Sequence, residues 1–230
     1  GIFICEHLPE MSRVMHKVAL IRSVTHQARL YDSASIHALT GRPLAGPDRE
    51  LFAPQPQEYP SFGGALAYLN QGRGADVPFA ALPFVFRNVH PVPCQGGGFL
   101  GNSFEPLRID VDAQAKLYNS NLLARAEGLG AERASQRAQL LQTLDPVLNE
   151  PTALRKYYDT AYRLLNSEAL HRALDLSQEP ASLRESYGFG NEAVAVGEGG
   201  GGGNGAEMGY ARHMRGQNLL LARRLVEAGV

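Results

Sequence analysis

The sequence predicts an α/β fold, a mainly parallel sheet covered by helices, on two observations. Val18, Ala19, Leu20 and Ile21 form a continuous apolar run, as in a strand buried on both faces of a parallel sheet. A segment of helical period followed by a strand-like one then occurs twice by Phe86, the alternation that builds a parallel sheet between helices.

Leu8, Met11, Val14, Met15 and Val18 recur at helical spacing, so residues 8–17 read as a helix leaning on the sheet, with Pro9 tolerated in its first turn. The strand follows directly and stops at Arg22-Ser23. Thr25, His26, Arg29, Tyr31, Asp32 and Ser33 crowd the next turn, and Asp32 or Ser33 caps a short helix that Gly41 ends. Ligands bind at such carboxyl ends of strands in open α/β sheets. Residues 42–60 carry Pro43, Pro47, Pro54, Pro56 and Pro60, too many missing N–H donors for regular structure, and read as an ordered surface loop. Ser61 caps a helix over 62–70, residues 72–76 break it, and 79–86 read as the next strand. Pro91, Pro93 and the glycines at 96–98 exclude a long helix or a central strand from 87–104, and 107–111 read as a brief edge strand. The second half is helical, over 131–144, 152–165, 167–174, 179–187 and 217–228, with Thr152, Ser167 and Ser177 as caps. Five consecutive glycines at 199–203 make 196–207 a mobile loop.

The chain has 230 residues, 44% hydrophobic and 20% charged, an ordinary globular composition long enough for one sizeable core. A formal net charge of -1 and a pI near 6.7 exclude a protein built around the nucleic-acid backbone. Cys5 and Cys94 make neither a disulfide framework nor a zinc signature. No run approaches the ~18 apolar residues of a membrane span, and no signal peptide is visible at the start. The chain opens on Gly1-Ile2-Phe3-Ile4, already apolar, and closes with a helix, Gly229 and Val230, so we read it as the middle of a longer domain.

The chemistry-bearing residues concentrate between Arg22 and Arg42. His26, His37, Asp32, the serines and Arg22 are types that bind a metal, hold an anion or serve a nucleophile. Each has a structural alternative: His26 as a hydrogen-bonded loop residue, His37 as a packed helix residue, Asp32 and Ser33 as caps. The glycines at 96–98 lack the P-loop pattern, and Arg223-Arg224 reads as the polar face of the last helix.

The blocks GIFICEHLPEM, LIRSVTH, YDSASIHALTGRP, YPSFGGALAYL, LPFVF, PCQGGGFLG and GQNLLLARRLVEAGV, in this order, closely resemble the bacterial domain of unknown function 1501 family. That family is regarded as sulfatase-like, within the alkaline phosphatase superfamily, and its members are commonly exported. The resemblance implies a single partial α/β/α sandwich domain over residues 1–230, with a Gly-rich flexible insertion at about 189–215 and further site residues outside the chain. In sulfatases the nucleophile motif ends in L-T-G, which Leu39-Thr40-Gly41 matches; counting back sets Tyr31 at the nucleophile, Ser33 at the proline and Ser35 at the arginine. Tyr31 cannot become formylglycine, so formylglycine-type sulfatase activity is not expected.

Two functional expectations follow. The first is an exported, metal-dependent hydrolase of phosphate or sulfate esters, acting on an anionic small-molecule or polysaccharide ester. Ser33 and Tyr31 are its catalytic candidates, Arg22 its substrate clamp, and His26, Asp32 and His37 its ligands for a divalent ion such as zinc, calcium or magnesium. The alternative is a non-catalytic exported or cell-surface binding protein that retains the fold.

Overall fold

The structure is a computed structural model that describes residues 2–70, 77–83, 85–111, 123, 130–144, 153–188 and 215–230. Helix α1 (Pro9–Val14) begins at its proline and tightens into a 3-10 turn at Met15–Lys17, covering nearly all of the expected span. Helix α2 (Tyr31–Thr40) ends where Gly41 adopts a left-handed φ of 71° and donates its N–H to the His37 carbonyl. Helix α3 (Phe62–Leu69) is capped by Ser61, whose hydroxyl accepts the Gly64 N–H, as the sequence predicts. Between α2 and α3 the proline-rich segment carries no helix or strand.

Strands β1 (Ala80–Ala81) and β2 (Leu107–Arg108) pair in parallel, with Ala80 opposite Leu107 and Ala81 opposite Arg108. Among the described residues these two short strands are the sheet, so the molecule is mixed helix with a small parallel sheet. Helices α4 (Ala131–Leu144), α5 (Ala153–Asn166), α6 (Glu168–Leu174), α7 (Ala181–Ser186) and α8 (Arg215–Glu227) make the second half helical. Ser167 caps α6 through the Leu170 N–H. Ser177 caps nothing; its own N–H and hydroxyl are held by the Asp175 carboxylate. Thr152 and the glycine-rich residues 189–214 lie outside the described residues.

Several elements depart from expectation: α1 buries none of its residues and so does not lean on the sheet, and the strand expected over 79–86 is confined to Ala80–Ala81 among the described residues. Residues 18–21 form no strand: Val18 is 44% exposed and Ile21 73% exposed, and the backbone there joins no ladder among the described residues. A continuous apolar run is stable as a strand when neighbouring strands and covering elements bury it, and among the described residues this run has neither.

Burial divides between two clusters. The larger packs Val77, Ile109 and Leu123 against Leu170, Leu174 and Leu176 and against Leu220, Leu221 and Leu225, joining β2 to α6 and α8. The smaller consists of Ile36, Leu51, Val92 and Cys94, with Leu44 against it, and pins α2 to the segments that follow it.

Candidate functional site

Helix α2 starts without a side-chain cap of its own: Leu30 is the N-cap residue, and neither Asp32 nor Ser33 takes that role. The free N–H groups are satisfied from the proline-rich loop. Asp48 accepts from Arg29 (2.8 Å) and Leu30 (3.4 Å), and Glu50 accepts from Tyr31 and Asp32, each at 3.0 Å. Two carboxylates thus sit at the positive end of the helix dipole, where negative charge is stabilised. Asn88 adds a third donor to Glu50 at 3.0 Å.

The helix answers with its own side chains. Asp32, 1% exposed, accepts the Leu51 N–H at 2.6 Å through Oδ2. Ser33, 3% exposed, donates its hydroxyl to the Arg49 carbonyl and accepts the Arg49 N–H. Segment 48–51 and segment 29–33 are therefore stitched in both directions.

Burial raises the Asp32 carboxyl above its ordinary range; the Leu51 N–H opposes that shift and the charge of Glu50 adds to it. Burial also pushes the fully enclosed Cys94 thiol up to about 11, with the charge of Asp32 adding to the effect. A thiol held protonated in this way is no nucleophile. Asp48 goes the other way, held below the usual carboxylate range chiefly by the Arg29 N–H.

Of the residues the sequence singles out, the structure brings His26 and His37 together. Their rings lie 5.7 Å apart, centre to centre, at 47°, with His26 exposed and His37 half-buried. Tyr31 is 75% exposed on the first turn of α2. Arg22 stands on the exposed extended segment before it. Asp32 does not join the imidazoles: among the described residues no three His, Cys, Asp or Glu side chains form a metal-sized group. Sequence reasoning missed Asp48, Glu50 and Asn88. Asp48 and Glu50 are marked in the sequence only as acids at alternate positions inside a proline-rich loop, which does not say which N–H groups they meet, and Asn88 carries no mark at all.

The glycines at 96–98 serve the backbone. The Gly97 N–H donates to Glu105 Oε1 at 2.8 Å, so a carboxylate of the chain itself already fills the place of an anion. The Gly96 N–H donates to Gln57, and its carbonyl accepts the N–H of Ser61 at the start of α3.

Fold and site together define a mixed α/β protein whose second helix sets His37 beside His26 of the preceding segment and carries a carboxylate clasp at its start. The whole chain, residues 1–230, matches the family described as Protein of unknown function (DUF1501), and the protein belongs to that family. No curated protein and no solved structure matches it. Among the described residues no helix is long and apolar enough to cross a membrane.

Proposed function

We propose that this protein is a metal-dependent hydrolase of phosphate or sulfate esters, built on the alkaline phosphatase-like α/β/α sandwich that its resemblance implies. The observation that carries the reading is the approach of His26 and His37 to 5.7 Å between ring centres, close enough for both imidazoles to face one ion. The fit is partial, two nitrogen donors. Asp32 is left out of it, because its carboxyl is enclosed and turned to Leu51.

A divalent cation supplies Lewis acidity and neutralises the charge of an anionic ester. The chain's own residues do the rest. Arg22, exposed, offers a planar fork that matches phosphate or sulfate oxygens. Tyr31 presents its phenol to solvent at the position that the resemblance gives the nucleophile. Ser33 is the weaker candidate, because both hydrogen-bonding roles of its hydroxyl are committed to Arg49. Export to the periplasm or cell surface belongs to the same reading and rests on the resemblance.

The test is metal content by inductively coupled plasma mass spectrometry after loading with zinc, calcium or magnesium, run beside hydrolysis of aryl phosphate and aryl sulfate. The reading expects near-stoichiometric metal and turnover, both lost in His37→Ala with the fold intact. Metal retained by His26→Ala and His37→Ala alike, or no turnover, overturns it. The commitment of Ser33 and Asp32 to structural bonds favours a second reading, a non-catalytic binding protein, which the outcome without turnover would select.

A further inference from the structure

We infer that the buried carboxyl of Asp32 keeps its proton at neutral pH and donates it to Glu50, making the joint between α2 and segment 48–51 an acid-locked latch that loosens as pH rises.

The argument is an account of four oxygens. Glu50 Oε1 receives the Tyr31 N–H, and Oε2 receives the Asp32 N–H and the Asn88 amide. Asp32 Oδ2 receives the Leu51 N–H. Asp32 Oδ1 receives nothing, although the residue is 1% exposed and water cannot reach it freely. An unpaired buried carboxylate oxygen is costly, and a second carboxylate beside it makes full ionisation costlier still. One vacancy calls for one hydrogen, which a carboxylic acid carries itself. Glu50 is there to accept it, since its carboxylate lies 3.0 Å from the Asp32 backbone nitrogen and its Oε1 has accepted only one bond.

A hard cation fits the same place poorly. It wants about six oxygen ligands, whereas the other three oxygens here are occupied by N–H donors, whose positive ends repel it. The surrounding charges do not supply an alternative partner. From the loop, Glu50 faces Asp32, while Arg49 is turned away to the Ala45 and Pro47 carbonyls and Asp48 is spent on Arg29 and Leu30. From the following segment, the Asn88 amide is bound to Glu50 at 3.0 Å and also acts on the Asp32 carboxyl, favouring its charged form without satisfying Oδ1, and Cys94 is a neutral thiol. The direction of the Asp32 shift agrees: burial first, then the charge and hydrogen bond of Glu50, favour the protonated form and outweigh the Leu51 N–H and the Asn88 amide, which oppose it.

The sign follows. A folded-state carboxyl that holds its proton above the unfolded value of 3.8 stabilises the fold most at low pH, and that stability is lost as pH rises through the folded value. Asparagine mimics the protonated acid, because its carbonyl can accept from Leu51 while its amide donates to Glu50.

The experiment is thermal unfolding of the whole chain, wild type against Asp32→Asn and Asp32→Ala, between about pH 5 and about pH 8. Infrared difference spectra of the wild type follow the protonated carboxyl band over the same range. Asp32→Asn should match the wild type at the acid end and unfold several degrees higher at the alkaline end, whereas Asp32→Ala unfolds lower throughout. The acid band should be present at neutral pH and absent from Asp32→Asn. Three results overturn the inference: no acid band at neutral pH in the wild type, an Asn variant as unstable as the Ala variant, or an Asp32-dependent rise in Tm on adding magnesium or calcium. The readouts are stability and spectrum, so the inference stands or falls apart from any hydrolase activity.

Discussion

Ser33 and Arg49 exchange two hydrogen bonds, the hydroxyl donating to the carbonyl and accepting from the N–H, each at 2.8 Å. The pair closes a clasp between the first turn of α2 and the proline-rich loop. Ser33 is 3% exposed and Arg49 half-buried, so Ser33→Ala leaves a half-buried carbonyl and N–H without these partners and should cost about 1–2 kcal/mol. Urea denaturation measures it. A wild-type midpoint with turnover abolished would instead make Ser33 a catalytic residue.

Gly98 holds a φ of 54° with its missing Cβ aimed at backbone: the site of that atom lies 2.4 Å from the Tyr59 carbonyl carbon and 2.6 Å from the Pro60 nitrogen. Neither neighbour can rotate away. Gly98→Ala therefore combines left-handed strain with overpacking and should destabilise by roughly 2–4 kcal/mol. An unchanged unfolding midpoint would mean that this loop sits elsewhere in solution.

Arg224 on α8 makes the one described ion pair in which both side chains are mostly buried, with Glu179, the two being 12% and 18% exposed. The same guanidinium donates to the carbonyls of Ala173 (3.0 Å) and Arg172 at the end of α6. Arg224→Ala strands the Glu179 charge and takes a donor from the Ala173 and Arg172 carbonyls at the end of α6, where only the Asp175 N–H to Arg172 remains, a loss of about 3–5 kcal/mol. Arg224→Lys should recover only part of it, since an ammonium cannot span three acceptors. Full recovery by lysine in a thermal melt would refute the forked geometry.

How much of this the sequence reveals depends on the range of each interaction. The Ser61 cap, the Pro9 start and the Gly41 stop are legible because partner and signal lie within one helical turn. The α2 start is not: Asp32 and Ser33 have the right chemistry for caps, yet Asp48 and Glu50 reach back 18 or 19 residues to take those N–H groups. Arg224 misleads for the same reason, as a charge on an amphipathic helix reads as solvated until a partner 45 residues away is known. The run at 18–21 misleads in the opposite sense. Its composition asks for burial between strands, and composition cannot say whether neighbouring strands are present. For the histidines, the sequence offers types and proximity, while their meeting at 5.7 Å depends on the path of residues 27–30 into α2.

The acid limb of stability should be set by Asp48 and Asp175. The Arg29 N–H lowers the Asp48 carboxyl, and the Ser177 hydroxyl lowers that of Asp175. A carboxyl held below its unfolded value of 3.8 contributes stability above that value and loses it as pH falls through the lower, folded one. This is the reverse of Asp32, so the two groups bound stability from opposite sides. In Asp48→Asn the carboxylate charge at the start of α2 is gone at every pH. The variant should unfold at lower temperature than wild type near neutrality, with the gap closing as pH falls below the unfolded value of 3.8 and through the lower, folded one. Paired melts over that range decide it: a gap that stays constant with pH would show that Asp48 holds Arg29 and Leu30 by shape rather than by charge.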